Sequence, residues 1–142
     1  MSRGRRLATT GVVATIAAAA LDALVAGVAR SAGVDLEVTG GEAIPVSGIA
    51  FVTAVFSLAG VVGAAALLQW SHDPARWWWR ATVALTALSL VPPFVAAADA
   101  ATAVTLVVLH LLAAAVVIPA VARALPHRAS AAVLPEGHLT TG

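Results

Sequence analysis

The sequence predicts an all-α fold, a bundle of four transmembrane helices with both termini on the cytoplasmic side. Three observations support this prediction. Of the 142 residues, 61% are hydrophobic and 11% are charged, whereas a soluble domain carries about 25% charged residues. Four apolar runs are each long enough to cross a bilayer, which requires about 20 residues. The arginines, finally, are divided unequally between the segments that connect these runs.

The apolar runs divide the chain into spans, loops and tails. Residues 1–6 form a basic cytoplasmic N-terminus, and residues 7–125 form the membrane domain. The tail at 126–142 contains several Pro, Gly and Ser residues, and we expect it to be disordered and cytoplasmic. Within the membrane domain, the predicted spans are residues 7–29, 46–68, 81–98 and 101–124, with an outer loop at 30–45 and an inner loop at 69–80.

The arginines orient the spans across the membrane. Lysine is absent, and the positive-inside rule assigns the segments richest in arginine to the cytoplasm. The connection after the first span has only Arg30, against Asp35, Glu37 and Glu42. The other seven of the eight arginines fall on the opposite side: Arg3, Arg5, Arg6, Arg76, Arg80, Arg123 and Arg128. Because the abundance of Ala and Val without Lys is typical of a GC-rich bacterial genome, we expect a bacterial plasma membrane.

The first span also resembles a secretory signal peptide, since an arginine-rich start precedes the apolar stretch 7–21. The apolar run continues past Asp22 to Ala29, however, and this length is sufficient to cross the membrane. We therefore favour an uncleaved first helix over a cleaved signal peptide.

Tryptophans and a helix-start signal mark the inner loop. Trp70 lies at its start and Trp77–Trp79 lie at its end. Amphipathic rings prefer the headgroup region, so we interpret these residues as interfacial anchors rather than as a ligand platform. Asp73 followed by Pro74 is typical of a helix N-terminus. The third helix is therefore expected to begin before the bilayer.

The outer loop is the only sizeable polar connection between the spans. Val34, Leu36 and Val38 alternate with acidic residues, and Gly40-Gly41 permits a turn. This pattern predicts a short strand or hairpin across the mouth of the bundle. A plain acidic loop is the alternative.

Each predicted helix carries small and polar residues on one face, at helical spacing. Helices associate in lipid through such faces, because small residues permit close approach and polar groups attract one another. We therefore expect the four faces to meet and the Leu and Val side chains to contact lipid. The faces comprise Thr15, Ala18, Ala19, Asp22, Ala26 and Ala29; Ala50, Thr53, Ala54, Ser57, Gly60 and Ala64; Thr82, Thr86, Ser89, Pro93 and Ala96; and Ala103, His110, Ala113 and Ala114.

One polar residue of each face is predicted to lie near the bilayer midplane. From the helical rise, Asp22, Ser57, Ser89 and His110 all lie roughly 12–15 Å below the outer boundary. Asp22 and His110 are the two ionisable residues deep in the spans, and an ionisable residue inside a membrane is a functional candidate. They are the candidate catalytic residues. The candidate ligand-binding residues are Asp22, Thr53, Ser57, Ser89 and His110.

Three functional hypotheses remain open, and the sequence does not decide whether the chain is an enzyme. The favoured one is a structural or accessory membrane protein in which an Asp22–His110 polar layer holds the bundle in register. In the second, the chain binds or transports a small lipophilic or cationic molecule, with Asp22 as the counter-charge. In the third, it is a membrane isomerase or cyclase that uses Asp22 and His110 as acid and base.

Several classes of chemistry and partner are excluded or disfavoured. The absence of cysteine excludes disulfides, thiol redox chemistry and thiolate metal sites. No metal cluster, phosphate-binding loop or nucleophile motif is present, so we predict no metal and no cofactor. A net charge of +1 gives no reason to expect nucleic acid. The expected partners are the lipid bilayer and either a second copy of the chain or another membrane protein. Ala59-xxx-Gly63 and Gly60-xxx-Ala64 are consistent with a homodimer.

Short segments along the chain form a recognisable set: Ala32-Gly33-Val34-Asp35-Leu36 with Gly40-Gly41, Trp79, Leu88-Ser89-Leu90 before Pro92-Pro93, His110-Leu111, and Ile118-Pro119 with Arg123. Together they resemble the small actinobacterial four-helix integral membrane proteins that are grouped as a family of unknown function. The resemblance covers residues 7–125. It implies a four-helix membrane fold, carries no activity with it, and makes His110 and the segment from Ser89 to Pro93 the positions of interest.

Overall fold

The computed structural model describes residues 2–126, and the remainder of the predicted tail lies outside the described residues. Five helices and one small hairpin follow one another within these residues. They are α1 (Arg3–Ser31), β1 (Glu37–Val38), β2 (Glu42–Ala43), α2 (Val46–Trp70), α3 (Pro74–Ser89), α4 (Val91–Ala96) and α5 (Ala100–Ala124). Because α3 and α4 together form one apolar unit from Pro74 to Ala96, four helices are long and apolar enough to cross a membrane.

The break between α3 and α4 lies at Leu90, two residues before the Pro92-Pro93 pair. Proline has no backbone N–H, and its ring clashes with the carbonyl group four residues earlier. Neither proline can therefore continue the hydrogen bonding of α3. The predicted third span, residues 81–98, thus consists of the end of α3, the break at Leu90, the short α4, extended Ala97 and a bend at Ala98.

The start of α3 agrees with the helix-start signal in the sequence. Pro74 is its first residue, and Asp73 is the N-cap, with its Oδ1 atom accepting a hydrogen bond from the Arg76 backbone N–H at 3.3 Å. Proline is favoured at this position because the first N–H groups of a helix have no partner within it. The third helix therefore begins seven residues before the predicted span, which starts at residue 81.

α1 is the central helix, since it packs along both α2 and α5. It lies close against α2 at Gly11, where an added Cβ atom would lie only 2.5 Å from Val61 Cγ2. Small residues allow two helices to approach this closely. Helices in lipid associate through such contacts, because no hydrophobic effect drives them together there. One end of the bundle is held together by an apolar cluster that includes Leu7, Ala75 and Leu125.

The small-residue faces predicted from the sequence are mostly confirmed. On α1, the buried residues include Thr15, Ala18, Asp22 and Ala26. Two predicted face positions differ, because Ala96 in α4 and His110 in α5 are exposed. Large apolar side chains cover the outside of the bundle, among them Ile16, Leu24, Phe51, Phe56, Val62, Leu85, Leu88 and Val104.

Trp78 corrects the interpretation of the tryptophans as interfacial anchors. Its side chain is buried, and its Nε1–H donates a hydrogen bond to the Ile118 carbonyl oxygen at 3.0 Å. It therefore joins α3 to α5 in the core. Trp70, Trp77 and Trp79 are exposed, as the prediction requires. The three consecutive rings must point in different directions, because successive helical residues are rotated by about 100°.

The outer loop forms a hairpin, in agreement with the first of the two sequence alternatives. β1 and β2 pair antiparallel, with Gly40 and Gly41 in the turn at φ values of 119° and 80°. Such φ values favour glycine, which has no Cβ atom to clash. The hairpin also pairs with the connection between α4 and α5, since the Thr39 N–H donates to the Ala96 carbonyl at 2.8 Å.

Leu36 anchors the hairpin to the helices. Its side chain is fully buried, in an apolar cluster with Ala26 of α1, Ile49 of α2 and Leu109 of α5. Its φ of 55° is in the left-handed region, which costs about 1–3 kcal/mol for a residue with a Cβ atom. The burial of a Leu side chain contributes about 1.5–3 kcal/mol, so packing offsets this strain.

Candidate functional site

Asp22 lies in the interface between α1 and α2, where the sequence places a small-residue face. The side chain is 1% exposed. Its Oδ2 atom accepts a hydrogen bond from the Thr53 hydroxyl at 2.7 Å. Two of the five candidate ligand-binding residues, one from each helix, are thus in direct contact. The distance is that of a strong hydrogen bond between a hydroxyl and a carboxylate.

Two buried polar atoms of α1 have no hydrogen-bond partner among residues 2–126. They are the second carboxylate oxygen of Asp22, Oδ1, and the Thr15 hydroxyl. Thr15 precedes Asp22 by seven residues, or about two turns, and therefore lies on the same face of α1. Buried polar atoms of native proteins are normally hydrogen-bonded, so these two atoms make the buried face of α1 unusual.

Ser57 and Ser89 occupy different environments. Ser57 is buried on α2, one turn after Thr53 and one turn before Val61. Ser89 is half-buried at the end of α3, and its hydroxyl donates to the Thr86 carbonyl at 2.8 Å. Ser57 therefore lies on the same face of α2 as Thr53. Ser89 satisfies its hydroxyl within its own helix, just before the proline break.

His110 is exposed on α5, and it is not a hydrogen-bond partner of Asp22 within the described residues. Its Nδ1 atom lies 2.8 Å from the Leu106 carbonyl oxygen. A carbonyl oxygen only accepts, so Nδ1 carries the proton and Nε2 faces away from that bond. The structure thus does not join Asp22 and His110, since each side chain bonds to a different partner.

Two shallow hollows lie on the surface of the described chain, and neither is lined by Asp22 or His110. One, of about 370 Å³, lies beside the connection of α4 to α5 and includes Phe94 and Asp99. The other, of about 340 Å³, lies where α2 ends and α3 begins, and includes Trp70 and Trp77. No group of three or more His, Cys, Asp or Glu residues with metal-binding geometry occurs within residues 2–126.

Comparison with protein families identifies the group to which the chain is related. Residues 2–127 match the model of a family of unknown function, DUF6069. The chain belongs to this family. The match includes every helix of the DUF6069 fold described above, together with the hairpin. It confirms the predicted relationship to a family of unknown function. No match was found among curated proteins or among solved structures.

Sequence reasoning missed one polar residue of this DUF6069 chain that the structure buries on the Asp22 face of α1. Thr15 was assigned to the small-residue face of the first span but not to the candidate ligand-binding set. Its buried hydroxyl without a partner sets it apart from Thr105, whose hydroxyl donates to the Ala101 carbonyl of its own helix at 2.8 Å. The spacing of seven residues from Asp22 was the available signal.

Proposed function

We propose that the chain is a structural or accessory protein of a bacterial plasma membrane, of actinobacterial type, with both termini in the cytoplasm. The observation that carries the proposal is the burial of Asp22 between α1 and α2, where Thr53 binds it. A carboxylate in this position can fix the register of two helices, because lipid offers few other hydrogen-bond partners for a polar side chain. Neither surface hollow reaches it.

The accessory role is tested by removing the chemistry of the polar residues while keeping their shape. Asp22→Asn retains an acceptor for the Thr53 hydroxyl but has no carboxylate, and His110→Gln retains a polar side chain that does not titrate. Both variants, and the double variant, should restore the phenotype of a deletion strain to the wild-type level. The amount of folded protein in the membrane, measured by gel filtration in detergent, normalises each result.

A charge-dependent role predicts a different pattern. A variant that is folded and abundant, but fails to restore the phenotype, would mean that the carboxylate or imidazole performs chemistry. That result would overturn the accessory proposal in favour of ligand binding or acid–base catalysis.

The proposed topology is tested with single cysteines, which is straightforward because the chain has none of its own. Glu42→Cys, in the exposed hairpin, should react with a membrane-impermeant maleimide on intact cells. His72→Cys, in the exposed connection between α2 and α3, should react only after the cells are permeabilised. Both sites are exposed, so their reactivity depends on sidedness alone. Labelling with the opposite pattern would contradict cytoplasmic termini.

One observation favours a second candidate function, the binding or transport of a small cationic molecule. The Oδ1 atom of Asp22 and the Thr15 hydroxyl are buried without partners, and a bound molecule would satisfy them. This function requires α1 and α2 to separate. Thermal unfolding of the detergent-solubilised chain with a panel of lipophilic primary and secondary ammonium compounds, whose N–H groups can donate hydrogen bonds to these two oxygen atoms, tests it. A rise in melting temperature that Asp22→Asn abolishes would support binding, and no rise for any compound would count against it.

The isomerase or cyclase alternative has no comparable observation in its favour. It requires Asp22 and His110 to reach one substrate. Asp22 is buried beside Thr53, whereas His110 is exposed and bonded to Leu106.

A further inference from the structure

The hollow at the junction of α2 and α3 has the properties of a lipid site. Its volume is about 340 Å³, and it is lined by Gly63, Ala66, Leu67, Trp70, Ser71 and Trp77. Gly63, Ala66 and Leu67 of α2 are small or aliphatic. The two indole rings stand out from the bundle, with Trp70 at the end of α2 82% exposed and Trp77 of α3 54% exposed. Exposed tryptophans at the end of an apolar helix are typical of the headgroup level of a membrane.

A guanidinium group contacts one of the two indole rings that line this hollow. The guanidinium carbon of Arg80 lies over the Trp77 ring, 5.7 Å from its centroid, which is a cation–π arrangement. Arg76 precedes Arg80 by one turn on the same side of α3. The nearby carboxylate, Asp73, is already used as the N-cap of α3, where it accepts the Arg76 backbone N–H.

The whole end of the bundle around this hollow is basic. The apolar cluster that includes Leu7, Ala75 and Leu125 brings together the start of α1, the start of α3 and the end of α5. Among residues 2–126, Asp73 is the one acidic residue at this end. The basic residues there are Arg3, Arg5, Arg6, Arg76, Arg80 and Arg123, whereas the opposite end has Arg30 with Asp35, Glu37, Glu42 and Asp99.

We propose that this hollow binds an anionic phospholipid. An acyl chain lies against Gly63, Ala66 and Leu67, and the phosphate group lies beside Arg80. Arginine suits this role because its planar guanidinium donates two parallel hydrogen bonds to phosphate oxygens. The charge of this end selects an anionic lipid over a zwitterionic one and over a second, equally basic copy of the chain. The proposal rests on the membrane insertion included in the proposed function, but not on the accessory role.

The experiment measures tryptophan fluorescence of the full-length protein in vesicles. The vesicles are made of phosphatidylcholine, and an increasing fraction of it is replaced by a brominated lipid, either phosphatidylglycerol or phosphatidylcholine. Bromine atoms on the acyl chains quench the fluorescence of nearby indoles. Half-maximal quenching should require a smaller mole fraction of brominated phosphatidylglycerol than of brominated phosphatidylcholine. The expected ratio of the two fractions is about fivefold for each arginine that contacts the headgroup. Arg80→Gln should reduce this preference by about the same factor, and it should leave quenching by phosphatidylcholine unchanged.

A second variant tests the apolar part of the hollow. Gly63 has open space where a side chain would begin, so Gly63→Leu should fill the hollow and reduce the preference for phosphatidylglycerol without disturbing the fold. The matched controls are Arg30→Gln at the acidic end and Gly27→Leu on α1, which also has open space. Both controls should retain the wild-type preference.

The outcomes separate this proposal from the proposed function. Equal quenching by the two lipids, or an unchanged preference in Arg80→Gln, overturns the lipid site while insertion stands. No quenching by either brominated lipid means that the chain is not inserted, and the proposed function then fails as well. Quenching that declines as the protein-to-lipid ratio rises would show that a second copy covers the hollow, which also overturns the proposal.

Discussion

The Thr53 hydroxyl donates a hydrogen bond to Asp22 Oδ2 at 2.7 Å, which connects α2 to α1 in the interior of the bundle. Among residues 2–126 it is the one side-chain to side-chain hydrogen bond between different helices. The second side-chain to side-chain hydrogen bond, from Thr102 to Asp99, is local, because Asp99 is the N-cap of α5. The register of the two helices therefore depends on a single polar contact among small and apolar residues.

Thr53→Val should destabilise the bundle. Valine has nearly the same shape as threonine but no hydroxyl, so both carboxylate oxygens of Asp22 would be buried without a partner. Leaving a buried acceptor unsatisfied costs about 1–3 kcal/mol. The expected result is a lower melting temperature of the purified protein in detergent. Thr105→Val is the matched control, because Thr105 donates only to the Ala101 carbonyl of its own helix. Equal melting temperatures for the two variants would contradict the structural role of the Asp22–Thr53 bond.

Gly11→Ala should weaken the packing of α1 on α2. The new Cβ atom would lie 2.5 Å from Val61 Cγ2 and 2.7 Å from Val61 Cγ1, so the helices must separate or Val61 must move. Overpacking of this kind costs about 1–3 kcal/mol, which thermal unfolding in detergent will detect. Gly27→Ala on the same helix meets no atom within 4 Å and should be neutral or stabilising, since alanine is favoured in helices by about 1 kcal/mol.

A compensating substitution tests the cause of this effect. Val61→Ala removes the two atoms nearest to the new methyl group, Cγ1 and Cγ2, and leaves Val61 Cβ at 3.2 Å. The double variant should therefore be more stable than Gly11→Ala alone. A Gly11→Ala protein as stable as the wild type would mean that the interface is looser than the described packing.

Trp78→Phe should loosen α3 from α5. The substitution removes the Nε1–H donor to the Ile118 carbonyl oxygen and leaves part of a buried volume empty. We expect a loss of stability of about 1–3 kcal/mol. Trp79→Phe changes an exposed ring and should have little effect on unfolding. If Trp79→Phe were the more damaging of the two, the assignment of Trp78 to the core would be wrong.

Asp99 should contribute a pH-dependent stability at the start of α5. Its carboxylate accepts hydrogen bonds from the Thr102 backbone N–H at 2.9 Å and from the Thr102 hydroxyl at 2.8 Å. These bonds lower the pKa of Asp99 below its ordinary value of 3.8. A carboxyl group with a lowered pKa stabilises the fold above the unfolded-state pKa, and this contribution is lost as the pH falls through the folded-state pKa.

The test compares the wild type with Asp99→Asn, which caps a helix but does not titrate. The difference between their melting temperatures should be constant from neutral pH down to about 4 and should shrink below it. A difference that grows on acidification would contradict the lowered pKa of Asp99.

The hairpin and the buried face of α1 are the features that local sequence patterns predicted. The alternation of Val34, Leu36 and Val38 before two glycines was sufficient to predict a turn, because φ values near 100° are available to glycine and to few other residues. The small residues of α1 were assigned to the buried face correctly, since helical spacing alone defines a face. Both features depend on residues that are close together in the chain.

Local sequence patterns did not predict the burial of His110 and Trp78 correctly. His110 shares a helical face with Ala103 and Ala113, yet it is exposed, whereas Trp78 stands between two exposed tryptophans and is buried. The sequence gives the position of a residue along its helix and its angle around the axis. It does not give the rotation of the helix against its neighbours, which decides whether that angle points inward.

The sequence by itself therefore determined four apolar helices, their small-residue faces, the helix start at Asp73 and Pro74, and the glycine turn of the hairpin. Each of these depends on composition, on helical period or on the conformational range of single residues. Only the tertiary structure decided that Asp22 binds Thr53 instead of His110, that Trp78 joins α3 to α5, and that Arg80 lies over Trp77. These contacts arise from the packing and rotation of whole helices, which are set by the sum of many side-chain interactions distant in sequence.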